Sequence, residues 1–292
     1  MTKKFGKVKG EQRYKCHNCN KQFIDKLKPD KVKMWDDYVS GKQTYEQLSD
    51  CYKISTRTVQ RYLESVSVKA PIELPRSIVA IMDTTYFGRV FGVMLFKDAY
   101  TGKNLLKYYV KSETNQKYKD GIEVLLAHGY LINAIVCDGR KGLLNLYPNI
   151  PTQMCQFHQT AIIRKYLTKK PKTDAAKELK VLIRLLTKTD KESFEGGLSD
   201  WHCKWERFLK ERSKNLKTNK TQYTHRKLRS AYNSLKNNLP WLFTWYDFIE
   251  LKIPNTTNLI DGHFADLKNK LRNHNGLSIA HKHKFIDEFL KA

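Results

Sequence analysis

Apolar residues fall at two different spacings along the chain, and the change between them divides it. In "GKQTYEQLSDCYKISTRTVQRYLESV", residues 41–66, they recur at helical intervals. Thr44 reads as a helix cap with Gln47 as its reciprocal partner, and Tyr45, Leu48 and Tyr52 follow on one face. After a short turn, Ser55 opens a second helix whose inner stripe is Val59, Tyr62, Leu63 and Val66. Arg57, Thr58, Gln60 and Arg61 remain on its open side. This is the layout of a helix-turn-helix, whose second helix presents its N-terminal residues to base edges in the major groove. A plain helical hairpin has the same apolar pattern, and the basic open face favours the DNA-reading version.

Beyond the two-proline linker "KAPIELPR" the spacing shifts to continuous apolar runs. "SIVAIMD", "VFGVMLFKDAYTGK" and "NLLKYYVKSE" read as three strands of an antiparallel meander. "NQKYKDGIEVLLAHGY" reads as a helix stopped at Gly129, "LINAIVCDGRKGL" as another buried strand, and "PTQMCQFHQTAIIRKYL" as a short strand entering a helix. From about 170 to 250 the pattern is almost wholly helical, and a last helix runs from Leu259 to about Asn273.

Charge adds a partner to this α/β outline. Lys and Arg number 54 against 29 Asp and Glu, a formal net charge of +25. Such a surplus favours a polyanion, since neutralised phosphates release condensed counterions. No apolar run approaches the roughly 18 residues of a membrane span, and "MTKKFGKVKGEQRYK" has no signal-peptide core. Six scattered cysteines fit reduced thiols and a cytoplasmic, nucleoid-associated protein. Cys16 and Cys19 form one C-x-x-C, half of the four-ligand set that a structural Zn²⁺ requires.

Two apolar runs end on an acid: "IVAIM" meets Asp83 and "INAIVC" meets Asp138. Aspartate commonly opens a turn at a strand end. If the two strands lie parallel and adjacent, however, both carboxylates emerge at one sheet edge and repel unless a cation joins them. The last helix offers a third acid. At about 100° per residue, Asp261 lies about 90° from the centre of the stripe Ile260, Phe264, Leu267 and Leu271, while Asp266 lies about 130° away and reads as solvated. Glu113, at the end of the third strand, is a rival ranked below Asp261. Three such carboxylates suit Mg²⁺ or Mn²⁺, hard cations used to activate water in phosphodiester chemistry.

With "GEQRYKCHNCNKQF", the helix pair, "MDTTYFGR", "IVCDGRKGL", "QMCQFHQTAIIRKYL" and "PNTTNLIDGHFADLKNKLRNHNGL" in this order, the chain resembles a bacterial insertion-sequence transposase of the Mutator-related DDE superfamily, in its zinc-ribbon-bearing variant. The resemblance implies a partial zinc ribbon at 1–28, a helix-turn-helix domain at 29–70 and a ribonuclease-H-like catalytic domain at 71–292 with a helical insertion. It also implies Mg²⁺-dependent cleavage at terminal inverted repeats, strand transfer into double-stranded target DNA, and a homo-oligomer on DNA. Asp83, Asp138 and Asp261 take the three acidic positions, the last being Glu in the family pattern. Cys155 and His158 match its C-x-x-H, to which we assign packing and orientation, because two ligands close no zinc site. The first C-x-x-C of a full ribbon would lie upstream of Met1, which implies a late reading frame or a decayed copy. Two alternatives stay open: a catalytically impaired DNA-binding remnant that represses transposition, and a ribonuclease-H-like nuclease. In the insertion, Trp201, Trp205, Trp241 and Trp245 are candidates for stacking on an exposed base, with helix packing as their plainer role. His274 and the "HKHK" of 281–284 are expected to face phosphate or solvent.

Overall fold

The computed structural model describes residues 1–8, 10–24, 29–69, 73–214 and 219–291. Residues 25–28 of the cysteine-bearing segment and 70–72 of the linker thus lie outside the described residues. The chain divides into two compact units, Met1–Lys69 with Asn269–Phe289, and Ala70–Lys268 with the last residues. Residues 269–289, expected from the sequence to belong to the catalytic domain, therefore group with the N-terminal helices.

In the first unit, strands β1 (Thr2–Val8), β2 (Glu11–Cys16) and β3 (Gln22–Ile24) form a small antiparallel sheet. Helices α1 (Lys31–Val39), α2 (Tyr45–Tyr52) and α3 (Thr56–Ser65) follow. The local signals behave as expected. Thr44 and Gln47 exchange both hydrogen bonds of a capping box, and Ser55 caps α3 through the Thr58 amide. Between them Lys53 takes the left-handed conformation that ends a helix. Leu48, Val59 and Leu63 are buried with Met34, Trp35 and Tyr38 of α1, while Tyr62 is only half-buried.

The second unit is built on a mixed five-stranded sheet of order β6-β5-β4-β7-β8. Strands β4 (Ser77–Phe87), β5 (Phe91–Asp98) and β6 (Asn104–Val110) form the expected meander. Helix α4 (Asn115–Ala127) then crosses over, and β7 (Leu131–Cys137) returns parallel to β4, as parallel pairing requires. The short β8 (Thr152–Met154) adds in parallel outside β7. Ile78–Met82 of central β4 is fully buried, which explains its unbroken apolar run. Helix α4 presses on the sheet at Gly121, where any Cβ would collide with the Phe96 ring.

After β8 come α5 (Gln156–Leu167), α6 (Asp174–Leu185) and α7 (Lys191–Lys210). Strands β9 (Arg212–Lys214) and β10 (Thr221–Tyr223) pair before α8 (Arg226–Leu242) and the short α9 (Thr244–Asp247). The β9–β10 ribbon is the part of this stretch that departs from the almost wholly helical expectation. It pairs three positions only, too few for an alternating pattern to register, and the Arg212 and Arg229 guanidiniums lie 4.6 and 3.6 Å from the centre of the Tyr223 ring. Helix α10 (Asn258–Arg272) and helix α11 (Ile279–Leu290) complete the chain. No helix among the described residues is long and apolar enough to cross a membrane.

Candidate metal-binding active site

The parallel register of β4 and β7 delivers the first two acids together. Ile81 pairs with Val136, and each chain reaches its aspartate two residues further on; β7 ends at Cys137, but β4 runs on to Phe87 with Asp83 paired to Leu95, so only Asp138 stands at a strand end. Asp83 is partly buried, and its Oδ1 accepts the Thr84 amide at 2.8 Å. The Asp138 Oδ1 accepts the Arg140 amide at 3.1 Å, so this acid also closes a turn, as aspartates at strand ends do. Gly139 follows because a side chain there would strike Met154.

Helix α10 brings the third acid. Ile260, Phe264 and Leu267 are buried as the stripe requires, and Asp261 flanks them. Lys97, buried on β5, lies 3.1 Å from His263 of α10 and donates to Asn104 at 2.9 Å, a contact between sheet and helix that periodicity does not reveal. Ligand atoms of Asp83, Asp261 and His158 all lie within 4.8 Å of one another. Asp138 is outside this tight group, yet close enough for its charge to act on Asp83. Asp266 is half-buried and is not part of it.

The electrostatics follow from burial. Loss of water pushes the Asp83 carboxyl up to about 7, with Asp261 and Asp138 adding to the rise and His158 and the Thr84 amide opposing it. His158 is raised to about 9, chiefly by its hydrogen bond with Cys155 and further by the nearby carboxylates, against its own burial. Cys155 is buried, which disfavours a thiolate, but bonds with His158 and Thr257 outweigh this and hold its thiol below the ordinary value. The donor set is hard oxygen plus one imidazole, and a buried carboxyl crowded by two others is the setting a divalent cation relieves.

The C-x-x-H segment packs directly behind the acids. Cys155 precedes α5, its amide donating to Cys137 O at 2.8 Å, and its sulfur lies 3.3 Å from both the amide and the hydroxyl of Thr257. That hydroxyl is 3.0 Å from Asp261 Oδ2, and the Gln156 amide donates to Asn255 O at 3.0 Å. Thr257, fully buried, is the residue that sequence reasoning missed; its position one turn before Asp261 was the available signal. His158 also stands closer to the acids than an orienting role alone requires.

Glu113 belongs to a neighbouring network. It accepts the Tyr118 hydroxyl at 2.7 Å and lies 3.7 Å from the Arg140 guanidinium, while Tyr118 meets Thr84 at 2.9 Å. The four tryptophans pack within the helical insertion. Trp201 donates to Ala175 O and Trp205 to Glu178, and Trp241 and Trp245 lie against the core.

In the first unit, Arg57, Gln60 and Arg61 are exposed, whereas Thr58 is half-buried and bonds to Ser55 at 3.0 Å. His274 corrects the expectation of a phosphate-facing histidine. It is buried against Tyr38 and Phe285, with ring centroids 4.3 and 5.2 Å away, and burial lowers its pKa. Lys284 likewise turns inward, donating to Leu63 O and Glu64 O at the end of α3. Cys16 is half-buried and Cys19 exposed, and no third metal ligand joins them among the described residues.

No protein-family model matches the chain, and no curated protein matches it. Among solved structures, it is similar to a chain of the simian T-cell lymphotropic virus intasome in complex with PP2A regulatory subunit B56 gamma, at 13% identity and a TM-score of 0.24, over 54% of this chain and 69% of that one. A likeness at that level carries no argument about fold or function.

Proposed function

We propose that this protein is a metal-dependent DNA transposase of the DDE type, with Asp83, Asp138 and Asp261 holding Mg²⁺ or Mn²⁺ on a ribonuclease-H-like sheet. The observation that carries the reading is the convergence of Asp83, within β4, with Asp261 of α10, beside Asp138 just past the end of parallel β7, in a chain of net charge +25. A bound cation would polarise the reacting phosphate and lower the pKa of an attacking water.

The protein's own groups supply the rest. Asp83 and Asp138 are fixed by backbone amides, and Asp261 is braced by Thr257. His158 carries positive charge at neutral pH and balances the carboxylates while no cation is present. In the reaction, water attacks phosphorus at the element end and the bond to O3′ breaks. The freed 3′-hydroxyl then attacks a target phosphodiester, giving up its proton and joining to that phosphorus as the target's own P–O3′ bond breaks and leaves a target 3′-hydroxyl. The exposed Arg57, Gln60 and Arg61 of α3 are assigned to reading the terminal repeats.

The test is Mg²⁺-dependent nicking of a duplex carrying the inverted repeats. Asp83→Asn and Asp138→Asn should each abolish it, and parental cutting by both variants would overturn the assignment. A second reading, a DNA-binding repressor with impaired chemistry, is favoured by the short arm of Asp261. Asp261→Glu separates the two. A large gain in cutting marks a damaged enzyme, whereas no cutting in either form marks the binder. Cutting that is indifferent to terminal repeats would instead mark a nuclease.

A further inference from the structure

Helix α5 begins beside the acidic site and ends in a groove of a different character. Arg164, Thr168, Lys169, Lys180 and Arg184 line a concavity of about 250 Å³ between α5 and α6. Four of these five residues are cationic, and among the described residues none of the four meets a carboxylate. Lys180 donates to Lys169 O, and the other three have no such partner. The contrast with nearby lysines is direct: Lys177 is paired with Asp174 at 2.9 Å and Lys204 with Glu178 at 2.8 Å. Holding four like charges together without a counterion is unfavourable, so the groove suits a multiply coordinated anion. Two guanidiniums favour a phosphate, which they can grip through forked pairs of donors, and the Thr168 hydroxyl adds a neutral donor. No aromatic ring lines the groove, so it offers nothing on which a base could stack.

We infer that this groove is a binding site for the phosphodiester backbone of double-stranded DNA, placed by α5 at a set distance from the acids. The inference rests on the transposase reading for the identity of the DNA, and on this structure alone for the groove. From His158 in its first turn to Thr168 at its end, α5 rises about 15 Å. That is about four to five base pairs along a duplex. The groove would therefore hold the backbone within about five base pairs of the reacting phosphate. A single helix carrying a site residue at one end and a phosphate clamp at the other makes cleavage register a matter of rigid geometry.

The experiment uses the full-length protein and a labelled duplex, with affinity measured across a salt series. Arg164→Gln with Arg184→Gln should make the slope of log affinity on log salt shallower by about one to two. It should weaken binding roughly ten-fold for each phosphate no longer neutralised, at about 0.1 M salt. The charge-matched control is Lys177→Gln with Lys204→Gln, which removes paired cations and should leave the slope unchanged. Neutral methylphosphonate links, placed singly along the duplex, should weaken the parent within about five base pairs of the nick site and leave the arginine double variant indifferent. An unchanged slope in that variant, or an equal loss in the control, overturns the groove. If the parent never cuts DNA, the catalytic reading fails while the binding measurements still decide the groove.

Discussion

The acidic group around Asp83 and the cysteine turn at Cys16 differ in how much of the protein holds them. Beside the end of β7, Asp83 within β4 and Asp138 just past β7 lie in register, each accepts a backbone amide, and Asp261 is braced through Thr257 to Cys155. At the N-terminus, Cys16 and Cys19 sit in one turn of a mostly exposed three-stranded sheet, with no third ligand among the described residues. The first group of acids is held by two strands and a helix that are buried for other reasons. The second would have to be completed by something else. Ligand types alone do not separate the two; the surrounding hydrogen bonds do.

The largest effect that sharpens this contrast is at Asp83. Asp83→Asn should lower Mn²⁺ affinity and strand cleavage by roughly a thousand-fold, as expected when several kcal/mol of charge stabilisation is lost. Calorimetric titration with Mn²⁺ and a nicking assay measure both. A variant that keeps parental Mn²⁺ affinity would show the sheet edge to be no better organised than the cysteine turn.

The next effect is on stability and its pH dependence in metal-free protein. The folded Asp83 holds its proton up to about 7, against about 4 in the unfolded chain, so its contribution is full below pH 4 and is lost as pH rises through 7. His158 acts in the same direction: raised to about 9, it contributes fully below about 6.5 and loses that contribution as pH rises through 9. Melting temperature should therefore fall steadily from mildly acidic to alkaline pH. Asp83→Asn should flatten the part below pH 7 and stabilise the protein at pH 8 by an amount on the order of a few kcal/mol. Mg²⁺ should recover stability in the parent at pH 8 and not in the variant. A parent whose melting temperature rises over this range would contradict the burial that defines the site.

What could be read from the residues alone tracks the range of the forces involved. The apolar runs of β4 and β7, their terminal aspartates and the flank position of Asp261 are local patterns, and each is legible. The capping box at Thr44 and the Ser55 cap are local in the same sense. The contact of Cys155 with Thr257 joins residues far apart in the chain, and nothing in either segment announces the other. Lys97 against His263 and Lys284 against the end of α3 are hidden for the same reason, since a lysine inside a polar stretch reads as solvated. His274 misled because a histidine among basic residues looks exposed, whereas its apolar ring packs between Tyr38 and Phe285.

A smaller effect tests the bracing itself. Thr257→Val keeps the shape and removes the hydroxyl that reaches Asp261, and should cost roughly ten-fold in Mn²⁺ affinity and turnover. Thr257→Ser should restore both, because it returns the hydroxyl. If Val and Ser behave alike, the hydroxyl does not hold Asp261, and the sheet-edge site is less organised than its hydrogen bonds suggest.

The smallest effect belongs to the cysteine turn, and it is the one best able to break the contrast. Backbone amides of Cys19 and Asn18 lower the pKa of Cys16, which favours the thiolate that zinc requires. Two thiolates nevertheless leave half of a tetrahedral site to water or to another molecule, and a folding contribution from zinc needs the closed set. Cys16→Ser with Cys19→Ser should therefore leave the melting of the sheet-bearing unit and its cleavage chemistry unchanged, and a zinc chelator should do the same to the parent. Zinc content after dialysis, read beside the melting curves, decides the matter. One tightly held zinc per chain, absent from the double variant together with the exchange protection of β1–β3, would mean that ligands from elsewhere complete the turn. The N-terminal sheet would then be a metal-built module, and its exposed strands would owe their order to that ion rather than to a core.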